Sequence, residues 1–458
     1  MSETESGSLP GGRRRLRKAG WTAAALVLYS GAVLLFLRDA VQARAALIGG
    51  LCLALWLTEL VPPFVPTLLL LVATPLLLAP FGRQYGFSSV LTWPADPVLA
   101  LFIGGFTLGA AARRHGVDAA VAEQIVGLSK HRRRALLGLV LGGTAVMSMW
   151  MSNIAAVAMM LAALRPIIRG TQGDGRFRTA LLLGIAMGGN LGGMATPIGT
   201  GPNAIAIAAA SSHHKITFVS WMGFAIPLVL GMLLLAYAIL LVRYRVAGEF
   251  THEPAEPAAL APGSGGARWV VAVFFVAVAG WLSEPLHGVS APLLSLFVAA
   301  LLFGTGLLAK DDLARLDWST LGLIAGGIAL GRLMEHSKMF EQVAQQVEWA
   351  TYPRVVLLGA LVCAGAVLSA LMSNTGTAAL LIPLGMSLAP TPSTAVLVAI
   401  ATSFGVPFII STPPNAMAHG EGGLEARDFL VIGLPIMLVG CAVVTLTGRA
   451  ALNLFGVP

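Results

Sequence analysis

The chain has 458 residues, of which 57% are hydrophobic and 11% are charged, and its mean hydropathy is +0.82. Soluble domains carry about 25% charged residues, so a water-facing fold of this size and a disordered chain are both excluded. The three cysteines have no metal-ligand spacing, and the positive residues behind the net charge of +8 cluster at the ends of apolar segments. The composition therefore predicts an all-α polytopic protein of the lipid bilayer, with no nucleic-acid partner.

Apolar stretches long enough to cross a bilayer predict the helices of the first half in chain order. Basic residues within 1–20 predict a cytoplasmic N-terminus, and the lack of a small-residue cleavage site argues against a signal peptide. We therefore expect a multi-pass protein of a bacterial inner membrane. Scaffold helices are predicted over 21–134, at 21–37, 45–61, 66–81 and 97–112, with an amphipathic stretch at 117–128.

A first transport unit is predicted over 135–245. It opens with 30 uncharged residues at 135–164, which basic clusters flank on both sides. If both flanks are cytoplasmic, this stretch enters and leaves on one side as a re-entrant hairpin of two half-helices, and one long tilted helix is the alternative. The stretch 179–212 then holds two prolines and two glycines within 196–203, which predicts a broken helix. A return pass at 216–242 completes the unit.

A polar linker at 246–267, expected on the cytoplasmic side, separates the two halves. Scaffold helices of the second half are predicted over 268–354, at 269–282, 291–309 and 318–333, followed by an interfacial stretch at 339–350. Residues 355–418 contain no charge, and a last pass at 429–447 follows. The segment 355–458 is therefore predicted as a second transport unit.

Three sequence matches relate the two halves in the same order. The segment 145–153 repeats as 366–374, with six of nine positions identical and an offset of 221 residues. The segment 104–109 resembles 326–331, and 200–204 resembles 412–416. The helix at 104 runs inward and the helix at 326 runs outward in the predicted topology, so the repeat is inverted. Inverted repeats with paired broken helices are typical of secondary transporters, whose sites lie near the membrane midplane.

Hydroxyl and amide side chains recur at the predicted tips of both hairpins. Ser148 and Ser152 share one helix face with Asn153 next to them, and Ser369, Ser373 and Asn374 repeat the pattern. Neutral oxygen ligands suit an alkali cation, whereas a transition metal prefers His or Cys. A serine in a membrane helix often only bonds the carbonyl four residues before it. The duplication, each copy followed by a broken helix, favours two Na⁺ sites instead.

Half-helix N-termini at the same tips carry partial positive charge and free N–H groups, which suit an anionic substrate. No Arg or Lys lies in this candidate core, so the anion is expected to rely on amides, hydroxyls and nearby Na⁺. No catalytic or nucleotide-binding motif is present, so an enzyme is not predicted. Other polar residues are expected at helix ends or at the periphery, namely Glu59, Asp96, His213, His214, Lys215, His336 and His419.

With these motifs in view, at 151–153, 372–375, 199–203 and 411–415, the chain resembles the divalent anion:Na⁺ symporter family. That family comprises the relatives of the sodium–dicarboxylate, citrate and sulfate carriers, and the resemblance runs from about residue 45 to the end. It implies a homodimer that works by an elevator-type movement, with about eleven transmembrane helices and two re-entrant hairpins.

The resemblance also implies where the ions and the substrate bind. One Na⁺ site would use Ser148, Ser152, Asn153 and the backbone at Gly199. The other would use Ser369, Asn374 and the backbone at Met372 and Ser411. The substrate carboxylates would meet Asn153, Thr200, Asn374, Thr375, Thr412 and Pro413.

Two candidate substrate-site residues depart from the family pattern. Ile154 stands where the pattern has Thr, and Gly201 stands where it usually has Pro. A lost hydrogen bond to a charged group is worth about 1.5–3 kcal/mol, or roughly ten- to hundredfold in affinity. The departure therefore opens the site to a smaller or less symmetric anion than the usual four-carbon dicarboxylate.

The sequence thus predicts Na⁺-coupled symport of a small divalent organic anion of the di- or tricarboxylate class. Three alternatives remain open at this point. They are a Na⁺-independent exchanger or H⁺-coupled carrier of sulfate or another oxyanion, a membrane binding protein that has lost transport, and a membrane enzyme.

Overall fold

The computed structural model describes residues 20, 22–33, 37, 39–58, 60–171, 174–250, 265–339 and 353–458. These residues fold almost entirely into helix and contain no β-strand, apart from one isolated bridge between Arg132 and Glu249. The all-α prediction is confirmed for this part of the chain. Glu59, the basic N-terminal cluster at 13–18, the linker residues 251–264 and the stretch 340–350 lie outside the described residues.

The helices of the first half begin and end close to the predicted positions. In chain order they are α1 (Thr22–Val33), α2 (Ala40–Thr58), α3 (Val65–Leu78), α4 (Phe87–Thr92), α5 (Pro97–Arg114), α6 (Val117–Leu128), α7 (Arg133–Ser148), α8 (Asn153–Gly170), α9 (Gly175–Gly192), α10 (Gly201–Ala210) and α11 (Phe218–Tyr244). Short 3₁₀ turns follow α3 and α9.

The second half continues with α12 (Gly265–Leu282), α13 (Glu284–His287), α14 (Ala291–Gly304), α15 (Lys310–Ala314), α16 (Trp318–His336), α17 (Arg354–Leu371), α18 (Asn374–Leu388), α19 (Pro392–Thr402), α20 (Pro413–Gly420) and α21 (Ala426–Leu454). Five of the described helices are long and apolar enough to cross a membrane, namely α8, α11, α12, α17 and α21. Shorter apolar helices lie between them. The chain is therefore a multi-pass membrane protein, and the number of crossings remains a prediction.

The uncharged stretch at 135–164 forms two helices, α7 and α8, which we call hairpin 1. Arg133 at the start of α7 pairs with Asp174 just beyond the end of α8, with 2.5 Å between Nη1 and Oδ2. Arg134 donates from Nε to the carbonyl of Val246, just beyond α11. The two basic flanks therefore lie at the same end of the molecule, which we call the basic end. The alternative of one long tilted helix is wrong.

The uncharged stretch after 354 forms an equivalent pair, α17 and α18, which we call hairpin 2. Leu361 in the second turn of α17 packs on Gly385 in the last turn of α18, so the two helices are antiparallel. A cavity is lined both by Pro390, just beyond hairpin 2, and by His213, just beyond α10. Because α9 and α10 lead away from the basic end, hairpin 2 opens at the opposite end.

Each hairpin is followed by a broken helix. Broken helix 1 consists of α9, a break at 193–200 and α10, and broken helix 2 consists of α19, a break at 403–412 and α20. Arg178 near the start of α9 donates to the carbonyl of Glu421 just past α20 at 2.6 Å. The helix α20 thus runs from the break toward the basic end, while α10 runs away from it. These opposite directions agree with an inverted repeat.

Glycines let hairpin 1 and broken helix 1 pack backbone against backbone. A Cβ on Gly188 would lie 2.4 Å from the carbonyl oxygen of Leu141, and one on Gly192 would lie 2.3 Å from that of Ala145. Small residues four apart on a helix allow such close approach in membrane proteins. Any larger residue at either position would force α7 and α9 apart.

Packing between α5 and α14 also depends on a glycine, because a Cβ on Gly104 would meet Ser295 at 2.5 Å. At the end of α5, Arg114 pairs with Asp312 on α15. The backbone amide of Ala309 and the Arg114 guanidinium lower the pKa of the Asp312 carboxyl. This charged contact joins a helix of the first half to a helix of the second half, at the end of α5.

Candidate cation and anion sites

Three oxygen atoms converge where hairpin 1 turns. The Oγ of Ser148 lies 2.8 Å from Oδ1 of Asn153 and 2.6 Å from the carbonyl oxygen of Gly189 on α9. Ser148 is fully buried. A serine hydroxyl has one proton, so it can be donated to only one of these two acceptors. The remaining lone pairs form a small, uncharged cluster of oxygen ligands.

Hairpin 2 repeats this arrangement atom for atom. The Oγ of Ser369 lies 2.7 Å from Oδ1 of Asn374 and 2.5 Å from the carbonyl oxygen of Thr402 on α19. Ser369 is also fully buried. The internal repeat found in the sequence is therefore matched by equivalent contacts, and both contributing carbonyls belong to the half-helix that precedes a break. The sequence did not reveal that the carbonyls of Gly189 and Thr402 belong to the clusters, because every residue type has a backbone carbonyl.

These two oxygen clusters have the chemistry of alkali-cation sites. Hydroxyl, amide and carbonyl oxygens are hard neutral ligands. Each cluster lies at the C-terminal end of a half-helix, α7 or α17, where the helix dipole places partial negative charge. Among the described residues no group of three His, Cys, Asp or Glu side chains is placed to hold a metal ion. The geometry therefore suits a monovalent cation such as Na⁺ better than a transition metal.

The break segments lie against the tips. Oδ1 of Asn153 and the carbonyl oxygen of Gly199 both lie close to Gly193, at 2.5 and 3.1 Å from the position its Cβ would take. Ser411 donates from Oγ to the carbonyl of Ala370 at 2.9 Å in hairpin 2. The structure therefore brings Ser148, Asn153 and Gly199 together, and it places Ser411 beside hairpin 2; their binding of Na⁺ remains a prediction.

Two asparagines that the sequence marked only as part of the repeat hold the breaks in shape. Nδ2 of Asn203 donates to the carbonyls of Gly193 and Thr196 at 3.0 and 2.8 Å. Nδ2 of Asn415 donates to those of Val406 and Phe408 at 2.9 and 2.8 Å. Both asparagines are fully buried. Each side chain thus replaces helical hydrogen bonds that the break removes.

The tip serines have a different structural role from Ser148 and Ser369. Oγ of Ser152 accepts from the amide of Ala155 at 3.3 Å, and Oγ of Ser373 accepts from that of Gly376 at 3.1 Å. Both serines therefore cap the second helix of their hairpin. Met372 lies between the helices of hairpin 2 with extended backbone. The predicted parts of Ser152 and Met372 as Na⁺ ligands remain predictions.

Four helices begin within the predicted anion-binding segments: α8, α10, α18 and α20. The start of α10 meets the start of α18, because a Cβ on Gly201 would lie only 2.5 Å from Oγ1 of Thr375. A second link between the halves joins Nδ2 of Asn190 to Oδ1 of Asn415 at 2.9 Å. Free N–H groups and partial positive charge at such helix starts attract anions.

The other predicted anion-site residues lie at the same helix starts. Thr200 and Thr412 immediately precede α10 and α20 with extended backbone, and Oγ1 of Thr412 accepts from the amide of Asn415 at 3.3 Å. Pro413 is the exposed first residue of α20. Ile154 lies in the first turn of α8 and is 46% exposed, so it presents an apolar surface where the family pattern has a hydroxyl.

The peripheral residues take up mostly structural roles. Asp96 caps α5 through the amide of Val98, and the ring of His336 stacks on Trp93. Lys215 is 67% exposed, as expected for a solvated helix end, and its Nζ also lies 2.6 Å from Oε1 of the buried Glu284.

An aromatic stack at the tip of hairpin 1 was not predicted. Trp150 stacks on Phe218 of α11 and on Trp281 of α12, with ring centroids 6.3 and 6.1 Å apart. The sequence signal for this stack is a difference between the repeats, because an aromatic residue stands at position 150 and the equivalent residue in hairpin 2 is Leu371. The stack and the Lys215–Glu284 pair connect α12 and α13 to the first hairpin and its return helix.

Paired helical hairpins, paired broken helices and matching polar clusters in the two halves are typical of secondary transporters. The profile of the citrate transporter family matches residues 53–390 and 278–456, which together cover most of the sequence. The chain belongs to the citrate transporter family. The resemblance to the divalent anion:Na⁺ symporters is thereby confirmed.

The chain is similar to several named transporters, two of which are named for different anions. An uncharacterized transporter of Haemophilus influenzae is 28% identical over 86% of this chain and 88% of that protein. The sodium-dependent dicarboxylate transporter SdcS of Staphylococcus saprophyticus is 26% identical over 85% and 82%. The inorganic phosphate transporter PHO87 of Saccharomyces cerevisiae is 25% identical over 90% of this chain but only 47% of its own length.

The fold is also found among solved structures. The Alcanivorax borkumensis YdaH transporter superposes with a TM-score of 0.56, covering 84% of this chain and 98% of that one, at 15% sequence identity. At this identity the similarity concerns the fold alone.

Proposed function

We propose that the protein is a Na⁺-coupled symporter of a small divalent organic anion of the di- or tricarboxylate class. The observation that carries the proposal is the pair of equivalent oxygen clusters, at Ser148 and at Ser369, together with the Gly201–Thr375 contact between helix starts of the two halves. The name of the staphylococcal relative, a sodium-dependent dicarboxylate transporter, supports both the ion and the substrate class.

The proposed sites follow the geometry. One Na⁺ would be held by Ser148, Asn153 and the carbonyls of Gly189 and Gly199, and the other by Ser369, Asn374, Ser411 and the carbonyl of Thr402. The anion would bind between them, at the four helix starts. Because no Arg or Lys is among the residues proposed to bind the anion, bound Na⁺ would supply the positive charge that the anion needs. This dependence is a physical reason for coupling.

The proposed transport cycle is an elevator-type movement in a homodimer of the inner membrane. In it, the hairpins and broken helices, as two re-entrant transport units, would slide against the scaffold helices. Backbone packing of α7 against α9 supports this, since hairpin 1 and broken helix 1 would move as one body without disturbing the first oxygen cluster.

The test is uptake of labelled succinate into proteoliposomes containing the purified protein. An inward Na⁺ gradient is compared with the same gradient of choline. We expect uptake with Na⁺ and none with choline. Equal uptake in both would refute the two sodium sites.

A second candidate function is Na⁺-independent exchange or H⁺-coupled carriage of sulfate or another oxyanion. The apolar Ile154 and the phosphate transporter among the relatives favour it. It predicts uptake of sulfate or phosphate without Na⁺, driven by an internal counter-anion or by external acid.

A further inference from the structure

A cavity of about 640 Å³ opens between α10, α16 and α18 at the end of the molecule opposite the basic end. Its wall includes Ser212 and His213 just beyond α10, Arg332 and Glu335 near the end of α16, and Ser387 near the end of hairpin 2. Cytoplasmic loops carry the excess of Lys and Arg, so this opposite end faces away from the cytoplasm.

The floor of the cavity lies close to the candidate anion site. Ile205 on α10 and Ala379 on α18 meet over Gly327, where a Cβ would lie 3.0 Å from an atom of each. Ile205 comes one helical turn after Gly201, and Ala379 comes one turn after Thr375. A turn advances about 5.4 Å, so the Gly201–Thr375 contact lies about one turn beneath the floor.

The charged residues at the mouth favour an anion. Arg332 and Lys338 line it together with one carboxylate, Glu335, whose Oε2 lies 3.2 Å from Nη1 of Arg332. The Arg332 and Glu335 side chains are 41% and 65% exposed, so both remain hydrated and available. A cleft with an excess of one charge raises the local concentration of ions of the opposite sign.

We propose that this cavity is the vestibule through which the substrate anion reaches its site from the extracytoplasmic side, and that Arg332 binds a carboxylate of the anion on the way. The proposal rests on the proposed anion transport and adds a capture site and a side of access to it. The vestibule thus adds a cationic side chain, which is not among the residues proposed to bind the anion in the deeper site.

The capture site is tested by the KM for Na⁺-driven succinate uptake at low ionic strength. Arg332→Gln should raise KM about five- to tenfold with little change in kcat, because steering acts before the anion reaches its site. Glu335→Gln should lower KM, since it removes the competing carboxylate. Arg354→Gln is the matched control, because Arg354 is exposed at the start of hairpin 2 but does not line the cavity. An unchanged KM in Arg332→Gln, or shifts of the same sign in the Arg332 and Glu335 variants, would overturn the capture site.

The side of access is tested without relying on transport. Ser387→Cys is introduced after Cys363→Ser, which removes the one exposed cysteine while Cys52 and Cys441 stay buried. A membrane-impermeant maleimide added outside right-side-out vesicles should label it, and labelling that requires the reagent inside would overturn the vestibule.

Substrate protection gives a control for the same labelling. External succinate should slow labelling of Ser387→Cys but not of Val289→Cys, since Val289 lies between α13 and α14, is 40% exposed and lines neither this cavity nor the neighbouring one that contains Arg332. Equal rates with and without succinate in a transporting protein would count against passage of the anion through this cavity. A vesicle that labels from outside but takes up no anion would leave the vestibule standing and refute the proposed function.

Discussion

Replacing Gly201 by alanine should disturb the substrate site through a single neighbour, Thr375. The new Cβ would lie 2.5 Å from Oγ1 and 2.8 Å from Cγ2 of Thr375, both within the van der Waals limit. Oγ1 and Cγ2 are both carried on the Thr375 Cβ, so the side chain can relieve the contact only by rotating about χ1 or by shifting as a whole, and either movement takes the hydroxyl out of its place. The variant therefore removes the hydroxyl from its place without changing the residue that carries it.

The size of the effect follows from the hydrogen bond that the anion would lose. A bond from a hydroxyl to a charged group contributes about 1.5–3 kcal/mol, which is roughly ten- to hundredfold in affinity. Gly201→Ala and Thr375→Ala should each raise the succinate KM by about this factor. The double variant should be no worse than either single one, because both changes remove the same interaction.

The assay is Na⁺-driven succinate uptake by the four proteins of this cycle, with equal amounts of protein reconstituted. A parallel thermal-unfolding measurement separates loss of the site from loss of the fold. Independent effects that multiply in the double variant would show that Gly201 and Thr375 act on separate steps. An unchanged KM in Gly201→Ala would show that the added Cβ does not move the Thr375 hydroxyl away from the substrate.

Two further predictions concern the ion sites and the contact with the scaffold. Ser148→Ala and Ser369→Ala should each raise the Na⁺ concentration for half-maximal uptake about tenfold. Ser283→Ala is the control and should leave this concentration unchanged, because the Ser283 hydroxyl bonds only carbonyls of the preceding turn in α12. Equal Na⁺ curves for all three variants would contradict the assignment. Lys215→Met should lower the melting temperature more than Glu284→Gln does. The first change leaves the Glu284 carboxylate, which is 5% exposed, without its partner, whereas the second leaves only a well-hydrated lysine. The opposite order of melting temperatures would show that the Lys215–Glu284 pair does not stabilise the contact between these helices.

The sequence predicted the paired helices of hairpin 1 from the length and the charged flanks of an apolar stretch, and it predicted the first broken helix from the prolines and glycines within 196–203. A stretch such as 135–164, uncharged and flanked by basic clusters, has few ways to cross a bilayer. The serine and asparagine at each tip were also predictable, since a duplicated polar motif in so apolar a chain is a strong signal. The carbonyls of Gly189 and Thr402 were not, because any residue type presents a carbonyl and only the fold decides where it points.

Contacts between the halves were the other part that the sequence did not reveal. The Asn190–Asn415 bond joins residues 225 positions apart, and neither residue's type indicates its partner. The stack of Trp150 on Trp281 likewise requires knowing which scaffold helix faces hairpin 1. Such pairings depend on tertiary packing, for which a single sequence has no periodic pattern.

The contact between Gly201 and Thr375 means that the proposed anion site depends on both halves, whereas each oxygen cluster depends on one half alone. Every atom of the first oxygen cluster comes from residues 148–189, and every atom of the second comes from 369–402. Each half-chain thus contains a complete cluster of its own, whereas the helix starts proposed for the anion belong to both. If the clusters bind Na⁺ as proposed, each repeat by itself supplies the ligands of one cation. Binding of the anion would need both repeats, so a protein with only one of them would keep a cation cluster but lose the anion site.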